Sequence, residues 1–339
     1  MKTLKRIFIL TVTLIITIIN ISAVNTSALY APDLSNVLDQ KYIENENYTY
    51  YINTDYSKAV IIDIKSGTEI FNVPETVTYN NATYPIASIS ISHQEGYSDF
   101  NKSLKVINAS KNLEEIDISL FIGYSSNPHK LDYLKTINIP NNSKLTDISL
   151  PLCPALKNIN LTSNSKLENI NVLSCTKMTK LSLPKTLKQL NLQNAPKLKV
   201  KIAKDNKKFK VKGNQILSKN GKTLYQCVGN SKTVHIYKTV KKINKINNSY
   251  IKNLNLGKNI KAIKGESISN CKRLSKVTLK STKNAPKIEN NAFKNTKKGI
   301  KFYVKNKKVA KSLKKHLKGS GVKKAKILVG KKVVYKNVK

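Results

Sequence analysis

From Leu134 onward the chain repeats itself every 11 residues, and no other feature limits its fold as severely. Leu134, Leu145, Leu156, Leu167 and Met178 open successive copies, and Leu187 and Leu198 continue the series. Behind each opening residue comes an aliphatic pair split by one polar residue: Ile137/Ile139, Ile148/Leu150, Ile159/Leu161, Ile170/Val172, Leu181/Leu183 and Leu190/Leu192. Weaker copies begin at Leu104 and Leu113. Alternation of period two sends side chains to opposite sides of an extended segment, so each copy holds a very short strand. Copies this close leave no room for a helix of ordinary length between them. A short strand cannot bury its apolar side alone, but stacked copies can, and the repeat therefore predicts a solenoid. Cys153 and Cys175 stand 22 residues apart, which makes 11 half a coil and puts a strand on each of two faces.

After Leu198 the period breaks. Asn214 to Val228 reads as two strands joined by Asn220-Gly221, a strong hairpin turn. The repeat resumes with Ile251/Leu254/Leu256 and Leu274/Val277/Leu279, now 23 residues apart, with Ile243/Ile246 and Ile260/Ile263 between them. The ends depart from the pattern, as the ends of an otherwise exposed stack must. Residues 46–90 read as an aromatic-rich β cap, Lys301–Asn306 as a last coil strand, Val309–Leu317 as a short helix and AKILVG as a final strand. The expected organisation is a signal peptide over 1–28, an N-terminal region and β cap over 29–100, and 11/22-residue repeats over 101–204. A β-hairpin insertion over 205–230, repeats of about 23 residues over 231–304 and a Lys-rich cap over 305–339 complete it.

The signal peptide is expected because Lys2, Lys5 and Arg6 precede an apolar run, Ile7 to Val24, followed by a small-residue exit near Ala28. A retained transmembrane anchor is the alternative, since the run is at the short end of a spanning helix. Charge is divided unevenly. Residues 1–176 hold 14 basic and 16 acidic residues, whereas residues 177–339 hold 47 basic and 3 acidic, a net of +44. Such a field attracts polyanions without selecting one. Part of the lysine count also fits an AT-rich genome, to which the abundant Asn and Ile belong equally.

The segments ESISNCKRLSKVTL (266–279) and PKIENNAFKNTKKGIKFYVKN (286–306) carry more specific elements: Cys271 three residues before Leu274 and an aliphatic strand in the first, and Ala292-Phe293 ahead of a strand in the second. In these motifs the chain resembles the bacterial BspA-like leucine-rich-repeat proteins, over roughly residues 46–306. The resemblance implies a leucine-rich-repeat solenoid of mainly short parallel β-strands with turns, a β-rich N-terminal cap and a small α/β C-terminal cap. It also implies a secreted or surface-associated protein that binds proteins or cells.

Chemistry is thinly represented. No C-x-x-C pair exists for zinc or thiol exchange, and the four histidines (His93, His129, His235, His316) have no second ligand at metal spacing. No nucleophile elbow accompanies them. Cys153, Cys175, Cys227 and Cys271 are expected to be buried thiols at coil-interior positions, with a Cys153–Cys175 disulfide as the alternative. Neither an enzyme nor a cofactor is expected. The candidate recognition surface is the ladder of polar residues between the aliphatic pairs: Asn138, Asn160 and Ser182 in one column, and Ser149, Asn171 and Asn191 in the other. The competing account is that these are solvated strand residues. A second candidate is Lys307, Lys308, Lys311, Lys314, Lys315 and Lys318, whose ammonium groups would contact anionic wall polymer or lipid headgroups. The expected partner is a protein or glycan at a cell surface, with no specific nucleic acid, and the expected state is a monomer. A structural envelope protein held by electrostatic binding is the rival function.

Overall fold

The computed structural model describes residues 42–91, 103–118, 131–141, 143–161, 166–246 and 248–339. The expected signal peptide, His93 and His129 lie outside these residues.

The aliphatic pairs point inward, and in the first stack all but the strand of Leu181/Leu183 join two sheets. One runs through Ile43–Glu44, Tyr48–Asn53, Lys58–Ile64, Ala82–Ser90, Glu115–Asp117, Asp147–Pro151, Asn169–Leu173 and Gln189–Gln193. The other runs through Ile70–Asn72, Val106–Asn108, Thr136–Asn138 and Asn158–Asn160. From Ala82–Ser90 onward the coil strands pair in parallel, and the coils stack like on like: Ile148 lies between Ile116 and Ile170, and Ile137 between Ile107 and Ile159. A slip of one residue would turn each isoleucine outward, so burial itself pins the register. Each such side chain contributes about 1.5–3 kcal/mol by leaving water.

The N-terminal cap merges with the stack. Tyr48–Asn53 pairs antiparallel with Lys58–Ile64, which then pairs in parallel with Ala82–Ser90. Tyr48 packs edge-on to Phe71 with ring centroids 5.6 Å apart, covering the first coil.

The second stack opens on more than a hairpin. Phe209–Lys212, Gln215–Ser218 and Thr223–Cys227 form an antiparallel meander, with its turns at Gly213 and Gly221, both at positive φ (58° and 73°) where a side chain is strained. The last of these strands pairs in parallel with Lys242–Ile243, and the same sheet continues through Ala262–Ile263 and Lys287–Ile288. The opposite sheet runs through Thr233–His235, Asn253–Leu256, Lys276–Leu279, Lys301–Val304, Ala325–Val329 and Lys332–Val338. The segment AKILVG is therefore not the final strand: Lys332–Val338 folds back antiparallel against it. The short helix, α1 (Lys307–Leu317), starts two residues before Val309, because Asn306 caps it by accepting the Val309 N–H at 2.9 Å. It buries Val309, Ala310, Leu313 and Leu317. Among the described residues no helix is long and apolar enough to cross a membrane.

Two hydrophobic cores result, one from Tyr48 to Val228 and one from Leu217 to Val338. Side-chain amides tie together the segments around the period break. Buried Asn206 accepts from the Lys208 and Phe209 N–H groups and donates to the carbonyls of Lys185 and Leu187. Buried Gln226 imitates a strand, accepting from Leu192 N–H at 3.0 Å and donating to Leu192 C=O. All four cysteines are buried and none forms a disulfide. The Cys153 thiol is held well above its ordinary value by its hydrogen bond with Cys175 and by burial, and burial pushes Cys271 up to about 11. Neither is a nucleophile at neutral pH.

Candidate functional site

The polar residue between each aliphatic pair faces outward because its neighbours face in, and parallel register turns these residues into columns. In the first column Asn160 Nδ2 donates to Asn138 Oδ1 at 2.7 Å, and Asn138 Nδ2 donates to Asn108 Oδ1 at 2.7 Å. Asn108 Nδ2 donates in turn to Asn72 Oδ1 at 2.6 Å. The column thus extends to two residues outside the expected ladder, Asn108 and Asn72. The Val-Ile-Asn and Ile-Phe-Asn endings match Thr-Ile-Asn at Asn138, and that signal was available in the sequence.

Ser182 departs from the expected arrangement. Its strand, Lys180–Leu183, pairs with Lys199–Ile202 in a separate sheet, with Ser182 opposite Lys201. The 22-residue spacing from Asn160 to Ser182 is kept, so period alone does not reveal the break in the ladder.

The second column is continuous. Asp117, Ser149, Asn171 and Asn191 occupy successive rungs. Asn171 Nδ2 donates to Ser149 Oγ at 3.3 Å, and Asn191 Nδ2 donates to Asn171 Oδ1 at 3.0 Å. Asn171 commits one donor and one acceptor along the column, whereas Asn191 commits one donor and its Oδ1 accepts from Gln193 Nε2 at 2.8 Å. A second N–H and further lone pairs remain for a partner.

The same face carries acid at its N-terminal end. Glu115 lies opposite Asp147 and two residues from Asp117. Burial first, and then the Asp117 and Asp147 carboxylates, push Glu115 up to about 7. Asn169 steadies Asp147 with a 2.6 Å hydrogen bond to its Oδ1. Lys58 pairs with adjacent Glu114 at 2.8 Å. Among the described residues no group of three or more His, Cys, Asp or Glu is placed to hold a metal ion.

On α1, Lys307, Lys308, Lys311, Lys314, Lys315 and Lys318 at its C-cap are exposed, opposite the buried stripe. Lys314 lies over the Tyr335 ring, 4.8 Å from its centroid. His316 turns inward, its Nδ1 2.8 Å from the Pro286 carbonyl, and His235 Nδ1 lies 3.1 Å from Asn255 Nδ2. These two histidines are thus occupied by neighbours in the stack.

The repeat geometry has a family counterpart. The BspA type leucine rich repeat region matches residues 99–209 and 204–301, in six copies. The chain belongs to this family. The matched span is narrower than the 46–306 of the motif resemblance, leaving the aromatic cap outside it. Within the BspA-type repeats the C-x-x-L cysteines Cys153, Cys175 and Cys271 are fully buried, as are Ala292 and Phe293 of the Ala-Phe pair. Phe293 packs edge-on to Phe302 of the last coil, with centroids 5.6 Å apart.

Among solved structures, the pneumococcal vaccine antigen PcpA is similar over 86% of this chain and 99% of its own, at 17% identity and a TM-score of 0.47. A leucine-rich repeat protein from Bacteroides ovatus is similar over 84% of this chain and 76% of its own, at 15% identity and a TM-score of 0.47. The T. pallidum leucine rich repeat protein is similar over 86% of this chain and 100% of its own, at 12% identity and a TM-score of 0.34. No curated protein matches the chain.

Proposed function

We propose that this BspA-type chain is a noncatalytic binding protein, secreted or held at a bacterial cell surface, whose strand faces recognise a protein or glycan. The observation that carries this reading is the pair of amide and hydroxyl columns on rigid, in-register strands. Solenoids of this kind offer extended surfaces, and repeat proteins of this family commonly mediate protein or surface contacts. The Ser149–Asn171–Asn191 column suits a partner's polar groups because each amide is oriented by its neighbour yet keeps a free donor.

The test uses the full chain against host-protein and glycan arrays. The expected result is saturable binding that persists in moderate salt and is lost in a Ser149→Arg/Asn171→Arg variant with unchanged circular dichroism. Retention of binding by that variant would remove the column from the reading. Fractionation of the native organism, with mass spectrometry of the N-terminus, tests location: a mature chain starting near Leu29 is expected, and an intact Met1 in the membrane would make the apolar run an anchor.

A second reading has its own observation, the exposed lysine face of α1. There the chain is an envelope component held noncovalently on anionic wall polymer or lipid headgroups. Each exposed lysine near such a surface contributes about 1 kcal/mol, and salt screens it. Release of the protein from cells by a salt wash supports this reading, and retention through the wash opposes it.

A further inference from the structure

The second stack changes character along its own axis. On the sheet that opens with Thr233–His235, the outward column begins as a neutral pair, Asn253 Nδ2 donating to Thr233 Oγ1 at 3.1 Å. Register then places Lys276 opposite Asn253, Lys301 opposite Lys276 and Lys326 opposite Lys301. Three lysines therefore stand on three successive rungs, with backbones about 4.8 Å apart. All three are exposed.

No carboxylate compensates them within the sheet, whose strands contain no Asp or Glu. The acidic residues of this stack, Glu266 and Glu289, follow strands of the opposite sheet and pair with Lys294 and Lys264. Like charges directly opposite each other on neighbouring strands repel and destabilise a sheet. A row of bound anions converts that repulsion into attraction.

The residue types narrow the partner. Lysine presents a compact point charge, whereas arginine offers the planar fork and stacking surface suited to bases. The stack's arginine, Arg273, lies over Tyr250 instead. Tyr303, in the neighbouring column, has its ring covered by the Lys276 ammonium, 4.7 Å from the centroid. A strip for single-stranded nucleic acid needs open aromatic faces on which bases stack. This strip reads charge and spacing alone.

We propose that the Lys276–Lys301–Lys326 column is a docking strip for a flexible, linear, base-free polyanion with phosphate groups along its length, laid across the strands. The proposal rests on the reading of the chain as a binding scaffold and is independent of α1.

The experiment titrates the full chain with long-chain inorganic polyphosphate across a salt series. Two variants remove equal charge from different places: K276Q/K301Q/K326Q from the sheet and K311Q/K314Q/K315Q from the helix. The sheet triple is expected to weaken binding about tenfold or more at low salt, and to flatten log K against log[salt] by roughly two. The helix triple is expected to change affinity far less. Equal losses would mean that net charge alone is read, and would overturn the proposal. Loss in the helix triple only would overturn it while leaving the α1 tether standing. Failure to bind polyphosphate would overturn it too, without touching protein or glycan recognition by the amide columns. Tighter binding to single-stranded DNA or to phosphatidylglycerol vesicles would transfer the strip to another partner and likewise overturn it. If circular dichroism shows the sheet triple misfolded, the single K301Q variant decides, with a smaller loss in the same direction expected.

Discussion

Glu115 shows how one residue responds to the face it occupies. It is half-buried opposite Asp147, with its value raised from 4.5 to about 7 by burial and then by Asp117 and Asp147. The folded chain therefore binds this proton more tightly than the unfolded chain does. Its favourable contribution is complete below about 4.5 and disappears as pH rises through about 7. Glu115→Gln is expected to flatten stability between these values and to stabilise the protein by about 1 kcal/mol at pH 8, after discounting for the water that reaches the group. Urea melts at pH 5 and pH 8 check this, and an unchanged pH dependence would refute it. The acidic cluster was invisible as a cluster in sequence. Glu115 and Asp147 are 32 residues apart, and only parallel pairing sets them side by side. The amide ladder was half legible: Asn138 and Asn160 were marked by spacing, whereas Asn72 and Asn108 sit before the regular period begins.

At the scale of the element, repeat strands were easy to find because each is three to five residues with buried alternate positions, as in Asp147–Pro151 and Asn169–Leu173. Two strands were missed for one physical reason. In Phe209–Lys212 and Lys332–Val338, lysines fill the outward positions and look like part of a basic surface tract, although Phe209 and Val338 are buried. Pairing partners distinguish a strand from a solvated tail, and local composition does not. The helix shows the converse, since its buried stripe of Val309, Leu313 and Leu317 stands out against lysine. Its start depends on Asn306, whose side chain caps Val309 and also donates to the Thr282 carbonyl at 3.0 Å. Asn306→Ala is expected to cost about 1 kcal/mol. Amide hydrogen exchange should quicken in the first turn of α1 while the coil strands stay protected.

At the scale of the whole molecule, two cores meet in the meander that follows the period break. Repeat arrays behave as chains of units coupled to their neighbours, so the strength of that coupling decides whether the stacks unfold together. Gln226 is part of the coupling, because its amide gives Leu192 both hydrogen bonds that an adjacent strand would have supplied. Gln226→Ala leaves a buried N–H and C=O unpaired and is expected to destabilise the junction by about 2 kcal/mol. Denaturant unfolding should then broaden or separate into two transitions, with a lower apparent m-value. A single shifted transition of unchanged slope would show that the cores are coupled elsewhere. The 11-residue spacing of aliphatic residues was enough to establish a two-faced solenoid, because no other arrangement buries such short strands. Which polar residues share a face, where the ladder breaks at Ser182, and how three lysines come to stand on adjacent rungs were settled only in three dimensions. Spacing says that coils stack, but hydrogen-bonded register says what each rung meets.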